Sequence, residues 1–159
     1  KYFPVEVFKK MGELGLMGIL VPEKYHGAGL TYFEYVTAIQ EVARVCGSIG
    51  LSMAAHNSLC TGHIMAFGNE EQKQKFLRPL AQGTVHGGFC LSEPEAGSDA
   101  TSQRTTAEDK GDYYLLNGTK NWITNGNSAD IFIVMAQTHP EKGHKGINAL
   151  IVTDRKSVV

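Results

Sequence analysis

The spacing of apolar residues changes abruptly at about Gly83, and this change limits the folds that the chain can adopt. Before Gly83 the apolar residues recur every three or four positions, as they do in helices that bury one face. After Gly83 they recur at every second position, in short runs separated by Gly, Asn and Asp, as they do in strands. The sequence therefore predicts an α+β chain with an all-helical domain over residues 1–83 and a β domain over residues 84–153.

The helical half contains one stretch that is apolar on nearly every side. Residues 48–67 have this composition, and they predict a central helix that is buried on most sides and broken near Gly62. A first helix is predicted over residues 5–16, and the Pro- and Gly-rich residues 21–30 that follow it predict a loop. The central helix is therefore expected to form the core against which the other helices pack.

Two further helices are predicted from their capping residues. Thr31 can cap a helix, and Asn69 followed by Gln72 is a variant of the capping box that opens a short helix ending near Gly83. The helix after Thr31 carries an apolar stripe on adjoining turns, formed by Phe33, Val36, Ile39, Val42 and Val45. Both helices are expected to bury their apolar sides against the central helix.

The β half is predicted to contain six short strands. Their ranges are 85–91, 103–107, 113–116, 122–124, 131–136 and 147–152. Asn117-Gly118, between two of these ranges, is the strongest hairpin signal in the chain. Because no helix separates the strands, we expect an antiparallel barrel or sandwich and not an alternating nucleotide-binding fold.

Charge and cysteine content narrow the possible partners and compartments. The chain has 15 Lys and Arg against 16 Asp and Glu, so its net charge of -1 offers no general attraction to nucleic acid or to an anionic membrane. The three cysteines form no CxxC pair and are interpreted as reduced thiols. We therefore expect a bacterial cytoplasmic or mitochondrial matrix protein with no nucleic-acid or membrane partner.

One set of residues has the spacing of metal ligands. His56, Cys60 and His63 lie at positions i, i+4 and i+7, so they would share one face of a helix. The surrounding sequence is apolar, and it offers no acidic residue or further cysteine that could complete a ligand set. We interpret the three residues as packed core and predict no metal site.

Residues 89–98, FCLSEPEAGS, form the most informative stretch of the sequence. Ala96, Gly97 and Ser98 follow Pro94 where a predicted strand ends, and a turn of small residues can present successive backbone N–H groups to an anion. The residues alone leave two interpretations open. The segment is either an anion-binding turn or a tight turn in which Gly97 has only a conformational purpose.

Longer strings in the sequence resemble one enzyme family. CLSEPEAGSDATS, residues 90–102, is similar to the signature of the acyl-CoA dehydrogenase family, and NGTKNWITNG, residues 117–126, resembles its second flavin-facing segment. VPEKYHGAGL, residues 21–30, and GNEEQKQKFLRPLAQG, residues 68–83, resemble family segments in the same order. The resemblance covers nearly everything before Asp154.

The resemblance implies a binding site for FAD. Ser92 would bond the polar edge of the isoalloxazine ring, Trp122 would pack against the ring, and Thr124 would bond the region of N5 and O4. Ser98 would lie near the FAD pyrophosphate or the CoA arm, in agreement with the anion-binding interpretation. Outside this family, a lone Trp in a β half is more often a core residue. The predicted cofactor-binding residues are Phe89, Leu91, Ser92, Gly97, Ser98, Trp122, Ile123 and Thr124.

The resemblance also implies an acyl pocket. Ser52, His56 and Leu59 would line it from the central helix, and Ser98 would contact the CoA arm. Bulk at these positions favours a short or branched acyl chain, and the string AHNSLC is closest to short-chain and isovaleryl-type members. We interpret Glu93 as a support for the turn and not as a base.

The reaction implied by the resemblance is the α,β-dehydrogenation of an acyl-CoA thioester to an enoyl-CoA, in lipid or amino-acid catabolism. A carboxylate removes the α proton, and the β hydrogen passes to flavin N5 as a hydride. In the family this base lies in a C-terminal helical domain that we expect the chain to lack, so no catalytic residue is assigned to it. Two alternatives remain: a related flavoenzyme, such as an acyl-CoA oxidase or a glutaryl-CoA dehydrogenase, or a non-catalytic fragment.

The same resemblance implies partners and boundaries. An acyl-CoA would be the substrate, an electron-transfer flavoprotein would accept the electrons, and the full-length protein would be a homotetramer. We expect the chain to be truncated at both ends and its β domain to be incomplete. Residues 154–159, DRKSVV, do not look like the continuation of the family sequence, and they are interpreted as a non-native tail.

Overall fold

The computed structural model describes residues 3–153, in which a helical half precedes a strand-rich half, as predicted. The predicted tail, residues 154–159, lies outside the described residues. Among those that are described, no helix is both long enough and apolar enough to cross a membrane. The helices are α1 (Val5–Glu13), α2 (Tyr32–Val45), α3 (Gly47–Ala54), a π-helical segment (Ala55–Thr61), α4 (Gly62–Phe67) and α5 (Glu70–Ala81).

Both predicted helix caps are confirmed. Thr31 Oγ1 accepts a hydrogen bond from the N–H of Phe33 at 3.2 Å, and the Glu34 carboxylate accepts one from the N–H of Thr31 at 2.8 Å. At α5, Asn69 Oδ1 accepts from the N–H of Gln72 at 2.8 Å, and Gln72 Oε1 accepts from the N–H of Asn69 at 2.9 Å. These side chains satisfy N–H groups that a helix start otherwise leaves without partners.

The central helix runs from Gly47 to Phe67, and the prediction that it breaks near Gly62 is wrong. The irregularity is the π-helical segment, which replaces the α-helical hydrogen bonds over residues 55–61. Just before it, the carbonyls of residues 52–54 accept hydrogen bonds from side chains: Ser52 from Asn125, Met53 from Asn57, and Ala54 from Ser58 and Tyr35. These side-chain donors add hydrogen bonds to the helix where its backbone pattern changes.

The apolar stripe of α2 is buried only in part. Phe33, Val36 and Val45 are exposed among the described residues, and the stripe residues between them are half-buried. The fully covered helical core lies instead around Phe8, Met17 and Met53. The period of the sequence therefore identified the helix, although not how completely its apolar side is covered.

The strand-rich half is a five-stranded mixed sheet. Its strands are β1 (Gly87–Cys90), β2 (Thr106–Asp109), β3 (Tyr114–Asn117), β4 (Ile131–Gln137) and β5 (Ile147–Val152). Strand β4 is central: β5 pairs with it antiparallel along one edge, whereas β1 and then β2 pair with it parallel along the other. The β2–β3 pair is antiparallel.

The prediction of an all-antiparallel sheet is therefore wrong for two of its pairings. Strands β1 and β4 can run in the same direction because some 40 residues, including the β2–β3 hairpin, form the connection between them. Closure of the sheet into a barrel or sandwich stays a prediction.

The hairpin and one strand also differ from the prediction. The hairpin turn lies at residues 110–113, where the N–H of Lys110 donates to the carbonyl of Tyr113 at 2.9 Å. Gly118 instead allows its backbone to pass close to Thr105, because a Cβ on Gly118 would lie 2.3 Å from Thr105 Oγ1. Residues 122–124, predicted as a strand, instead begin a bend and turn that extend over residues 122–128, and Trp122 there has a φ of 59°.

The two halves share one hydrophobic core. Leu77 and Leu80 of α5 and Cys60 of the π-helical segment pack in the same buried cluster as Ile131 and Ile133 of β4. Burial of these apolar side chains holds the sheet against the central helix. Through this core β1 is placed next to the π-helical segment, and the segment after β1 is the one that resembles the family signature.

Candidate functional site

The structure brings the two predicted flavin-facing segments side by side. The N–H of Asn121 donates to the carbonyl of Ser92 at 2.8 Å, and Lys120 Nζ donates to the carbonyl of Leu91 at 3.0 Å. Phe89, at the end of β1, packs its ring on that of His63, with centroids 4.8 Å apart. Residues 89–92 and 120–124 thus form one surface, although about 30 residues separate them in sequence.

A buried ion pair fixes the two segments. Lys120 Nζ lies 2.7 Å from Glu93 Oε1 and 3.0 Å from Gln103 Oε1, and the Lys120 and Glu93 side chains are only 10% and 4% exposed. The Glu93 carboxylate also accepts hydrogen bonds from the N–H groups of Arg104, at 2.6 Å, and Thr105, at 3.1 Å. One carboxylate and one ammonium therefore join three separate stretches of chain.

Glu93 is ionised in this environment. Burial alone would raise the pKa of its carboxyl, but the hydrogen bonds from Lys120 and from the backbone outweigh that effect and lower the pKa to about 2. A carboxylate that is ionised, paired and enclosed cannot take up a proton near neutral pH. The geometry therefore agrees with the interpretation of Glu93 as a support and not a base.

The turn after Glu93 leaves backbone donors open to the outside. Glu93 and Ala96 exchange backbone hydrogen bonds of 3.0 and 3.2 Å, whereas the N–H groups of Gly97 and Ser98 donate to no other group in residues 3–153. Both residues are exposed, and a Cβ on Gly97 would meet no atom within 4 Å. The described fold therefore does not require glycine at this position. The space beside Gly97 is open, so a group can approach it from outside.

Trp122 presents nearly all of its surface to solvent. It is 94% exposed, and its φ of 59° lies in the left-handed region, which a bulky residue rarely adopts. The adjacent Ile123 packs on the buried cluster of Cys90, Ala129 and Phe132, and it anchors the turn. The anchored turn holds a large aromatic side chain outside the core. A strained backbone that is held in place by its surroundings is often found at ligand-binding positions.

Asn125 belongs to the same site, although it was not among the predicted site residues. Its Nδ2 donates to the carbonyl of Ser52 at 3.2 Å and to the carbonyl of Gly87 at 3.1 Å, which ties the turn to α3 and to β1. The available signal was local: an Asn-Gly pair directly after Trp122 and Thr124 favours a turn with positive φ. Partners about 40 and 70 residues away in sequence left no such signal.

His56 is enclosed and fully hydrogen-bonded. Its Nδ1 accepts from the N–H of Gly87 at 3.0 Å, and its Nε2 lies 3.0 and 3.1 Å from the carbonyl oxygens of Met17 and Leu80. Because both carbonyls can only accept, Nε2 must carry the proton, and the ring is neutral. Burial, and then the neighbouring His86, lower the pKa of His56 to about 4.

The predicted acyl-pocket residues do not share one face of the helix. His56 is completely buried, whereas Leu59 is 40% exposed and Ser52 is half-buried. The π-helical segment widens the helical turn between them, so positions that a regular α-helix would align are rotated apart. His56 holds helices and sheet together, and contact with an acyl chain stays a prediction for the set.

The three residues with metal-like spacing also do not converge. Cys60 Sγ contacts the carbonyl of Ile131 at 3.8 Å, and His63 Nδ1 lies 2.6 Å from the carbonyl of Leu59. With His56 bonded to backbone groups of other elements, each of the three has its own surroundings. The three residues thus do not form one site: His56 and Cys60 are buried, as the packed-core interpretation requires, whereas His63 is only half-buried.

Comparisons with known proteins agree with this architecture over nearly the whole chain. The family model described as acyl-CoA dehydrogenase, N-terminal domain, matches residues 1–84, and the one described as acyl-CoA dehydrogenase, middle domain, matches residues 88–159. An acyl-CoA dehydrogenase of Bacillus subtilis is 51% identical over 150 residues, which cover 94% of this chain and 40% of that protein. A short-chain specific acyl-CoA dehydrogenase of Clostridium acetobutylicum is 48% identical, with the same coverage.

A solved structure supports the same comparison. The butyryl-CoA dehydrogenase of Megasphaera elsdenii superposes with a TM-score of 0.91 and 42% identity, and the match covers 97% of this chain and 41% of that one. The chain therefore spans about two-fifths of the length of the relatives it matches. The shared part includes both segments that form the candidate site.

Proposed function

Because this chain belongs to the acyl-CoA dehydrogenase family, we propose that it supplies part of the FAD site of an enzyme that oxidises acyl-CoA thioesters to enoyl-CoA thioesters. The observation that carries the proposal is the anchored turn that holds Trp122 almost fully exposed beside residues 89–92. An extended aromatic ring system such as isoalloxazine is a natural partner for an exposed indole.

The described residues fit FAD in two further respects. The N–H groups of Gly97 and Ser98 have no partner within residues 3–153, and such donors suit a pyrophosphate or the CoA arm. The buried Lys120–Glu93 pair holds both flavin-facing segments in place before any ligand binds. A preformed site of this kind reduces the ordering cost of binding.

Each residue would then have a limited task. Phe89, Leu91, Trp122 and Ile123 would supply apolar surface that keeps water away from the ring. The hydroxyls of Ser92 and Thr124 would offer hydrogen bonds to its polar edge and to the N5 region. When bound, FAD supplies the hydride acceptor of the reaction, and polar contacts near its reactive atoms tune its reactivity.

The substrate would be a short or branched acyl-CoA. Ser52 and Leu59 would face the acyl chain, and His56 would set their positions through its three backbone contacts. Glu93, the one buried carboxylate of the described site, is already paired with Lys120 and cannot serve as the base. The carboxylate base would therefore come from a C-terminal helical domain outside this chain. An electron-transfer flavoprotein would reoxidise the flavin, and the complete protein would be a homotetramer.

The proposal is tested on the flavin-loaded full-length protein. We expect an absorption band at about 450 nm, as for oxidised flavins generally, that bleaches anaerobically on addition of butyryl-CoA or isovaleryl-CoA. Glutaryl-CoA in a third sample tests the decarboxylating alternative, and admission of oxygen tests the oxidase. A protein that binds no flavin, or whose flavin no acyl-CoA reduces, would contradict the proposal.

A matched pair of variants tests the flavin-facing turn itself. Trp122→Ala should weaken retention of FAD, because it removes the exposed aromatic surface of the site. Tyr113→Ala, which removes an exposed aromatic residue from the β2–β3 hairpin turn, should leave retention unchanged. Equal loss of FAD in both variants would show that Trp122 has no special contact with the cofactor.

A further inference from the structure

Asn125 connects three elements that meet at the candidate site. Its side-chain amide donates both to the carbonyl of Ser52 in α3, at 3.2 Å, and to the carbonyl of Gly87 in β1, at 3.1 Å. The residue is only 8% exposed, so water does not compete strongly for these bonds. A single side chain therefore links the turn of Trp122 to the central helix and to the first strand.

The backbone of Asn125 is fixed as firmly as its side chain. Its φ is 66°, in the left-handed region that asparagine tolerates better than most residues other than glycine. Its carbonyl accepts hydrogen bonds from the N–H groups of Ser128, at 2.9 Å, and Ala129, at 2.7 Å. Asn125 thus lies in the middle of the turn over residues 122–128 and cannot shift without loss of both its backbone and its side-chain bonds.

Asn125 contacts the central helix close to the start of its π-helical segment. Ser52 lies in the last turn of α3, directly before the helix changes to its π-helical segment. That carbonyl also accepts a hydrogen bond from the backbone N–H of Ala55, the first residue of the π-helical segment. Asn125 thus adds a side-chain bond at the junction of the two helical forms and ties this junction to the turn.

The contact with strand β1 links the third of these elements. Gly87 begins β1, and its N–H donates to His56 Nδ1 while its carbonyl accepts from Asn125. Strand β1 leads directly into Leu91 and Ser92, which lie beside the turn of Trp122. The helix, the strand and the turn therefore have fixed relative positions.

We propose that Asn125 is a positioning residue that sets the separation between the Trp122–Thr124 turn and the helix that carries Ser52. This inference rests on the proposed function, in which the turn contacts flavin and the helix contacts the acyl chain. Hydride transfer requires the two reacting atoms to be held close together and aligned, and small misplacements slow such steps strongly. Asn125 would act through this geometry without contacting either reactant.

The test uses two variants and their matched controls. Asn125→Gly removes the amide and still permits the positive φ, and Asn125→Asp keeps the size of the side chain while replacing the donating NH₂ group. Asn127 lies two residues away in the same turn, is exposed, and has no hydrogen bond to another element within residues 3–153. Asn127→Gly and Asn127→Asp therefore make the same chemical changes without breaking the link.

The expected effect in the flavin-loaded full-length protein is kinetic. We expect Asn125→Gly to slow anaerobic flavin reduction by acyl-CoA about 10- to 100-fold, from the sensitivity of such reactions to misplacement, with little change in the dissociation constant of acyl-CoA. Asn125→Asp should also slow the step, and more strongly at pH values above the pKa of the new carboxyl, where it is ionised. The Asn127 variants should retain the wild-type rate.

A second readout does not depend on activity. In the protein stripped of FAD, hydrogen exchange should be faster in residues 52–61 and 121–126 for both Asn125 variants and unchanged for both Asn127 variants. If an Asn125 variant retains FAD and is reduced at the wild-type rate, the positioning role is refuted. If neither Asn125 variant folds or retains FAD, Asn125 is required for folding and the positioning role is again refuted.

The two proposals can fail independently. If no acyl-CoA reduces the wild-type flavin, the proposed function fails, although the exchange measurement can still show that Asn125 links turn and helix. If the wild-type flavin is reduced and the Asn125 variants behave like the Asn127 variants in both assays, the proposed function stands and the positioning role fails.

Discussion

Replacing Lys120 by Met would leave a buried carboxylate without its cationic partner. Breaking a buried pair by removing one member typically costs about 3–5 kcal/mol, because the remaining charge is uncompensated. Glu93 would keep two backbone N–H donors, at 2.6 and 3.1 Å, so we expect a value near the lower end of this range. The predicted loss in the free energy of unfolding is thus about 3 kcal/mol at neutral pH.

The pKa of Glu93 gives a second figure. A carboxyl whose pKa falls from 4.5 when unfolded to about 2 when folded stabilises the native state by about 3 kcal/mol through all of its partners together. Because the folded pKa is the lower one, this stability is fully present above pH 4.5 and is lost as the pH falls towards 2. Without Lys120 the folded pKa should rise, and the pH dependence in this window should become flatter.

The assay is urea denaturation followed by circular dichroism, at neutral pH and across the acidic window. Lys110→Met is the matched control, because Lys110 pairs with Glu108 at the surface, where the two side chains are 36% and 62% exposed. Exposed pairs contribute at most about 1 kcal/mol, so this control should change little. The double variant Lys120→Met/Glu93→Gln should recover part of the loss, since it removes the buried charge.

Two results would refute this reasoning. The first is a loss for Lys120→Met no larger than that for Lys110→Met, which would mean that water solvates Glu93. The second is an unchanged pH dependence in Lys120→Met between pH 4.5 and 2, which would mean that Lys120 does not hold the carboxyl ionised.

Three further predictions concern the contact between helices and sheet. The pKa of His56 falls from 6.5 to about 4 on folding, so its contribution to the free energy of unfolding should be fully present above pH 6.5. The free energy should decrease by about 3 kcal/mol as the pH falls to about 4, and urea unfolding of His56→Gln should lack this slope. Burial raises the pKa of the thiols of Cys60 and Cys90 to about 12 and about 11, so iodoacetamide followed by peptide mass spectrometry should find the exposed Cys46 modified in the native protein and the other two only after unfolding. Gly87→Ala should destabilise by about 1–3 kcal/mol in urea unfolding, since its Cβ would lie 2.6 Å from Cys60 Sγ, and a neutral result would mean that the strand can move away from the helix.

The sequence determined what depends on residues close together along the chain. The change of apolar period at Gly83 separated helices from strands, and Thr31 and Asn69 marked helix starts because a cap bonds groups only two or three residues away. The family motifs, likewise contiguous strings, identified the two segments that form the candidate site. These features need no knowledge of the packed structure.

The tertiary structure decided what depends on distant partners. The direction of β4 relative to β1 follows from the path of the intervening chain, which its alternating pattern does not encode. The π-helical segment rotates Leu59 away from His56. Asn125, which donates to the central helix just before this segment, lies 73 residues beyond the Ser52 carbonyl that it contacts. Such bonds form only after the helices and the sheet have packed, because packing alone brings their donors and acceptors within reach and excludes the water that would otherwise take their place.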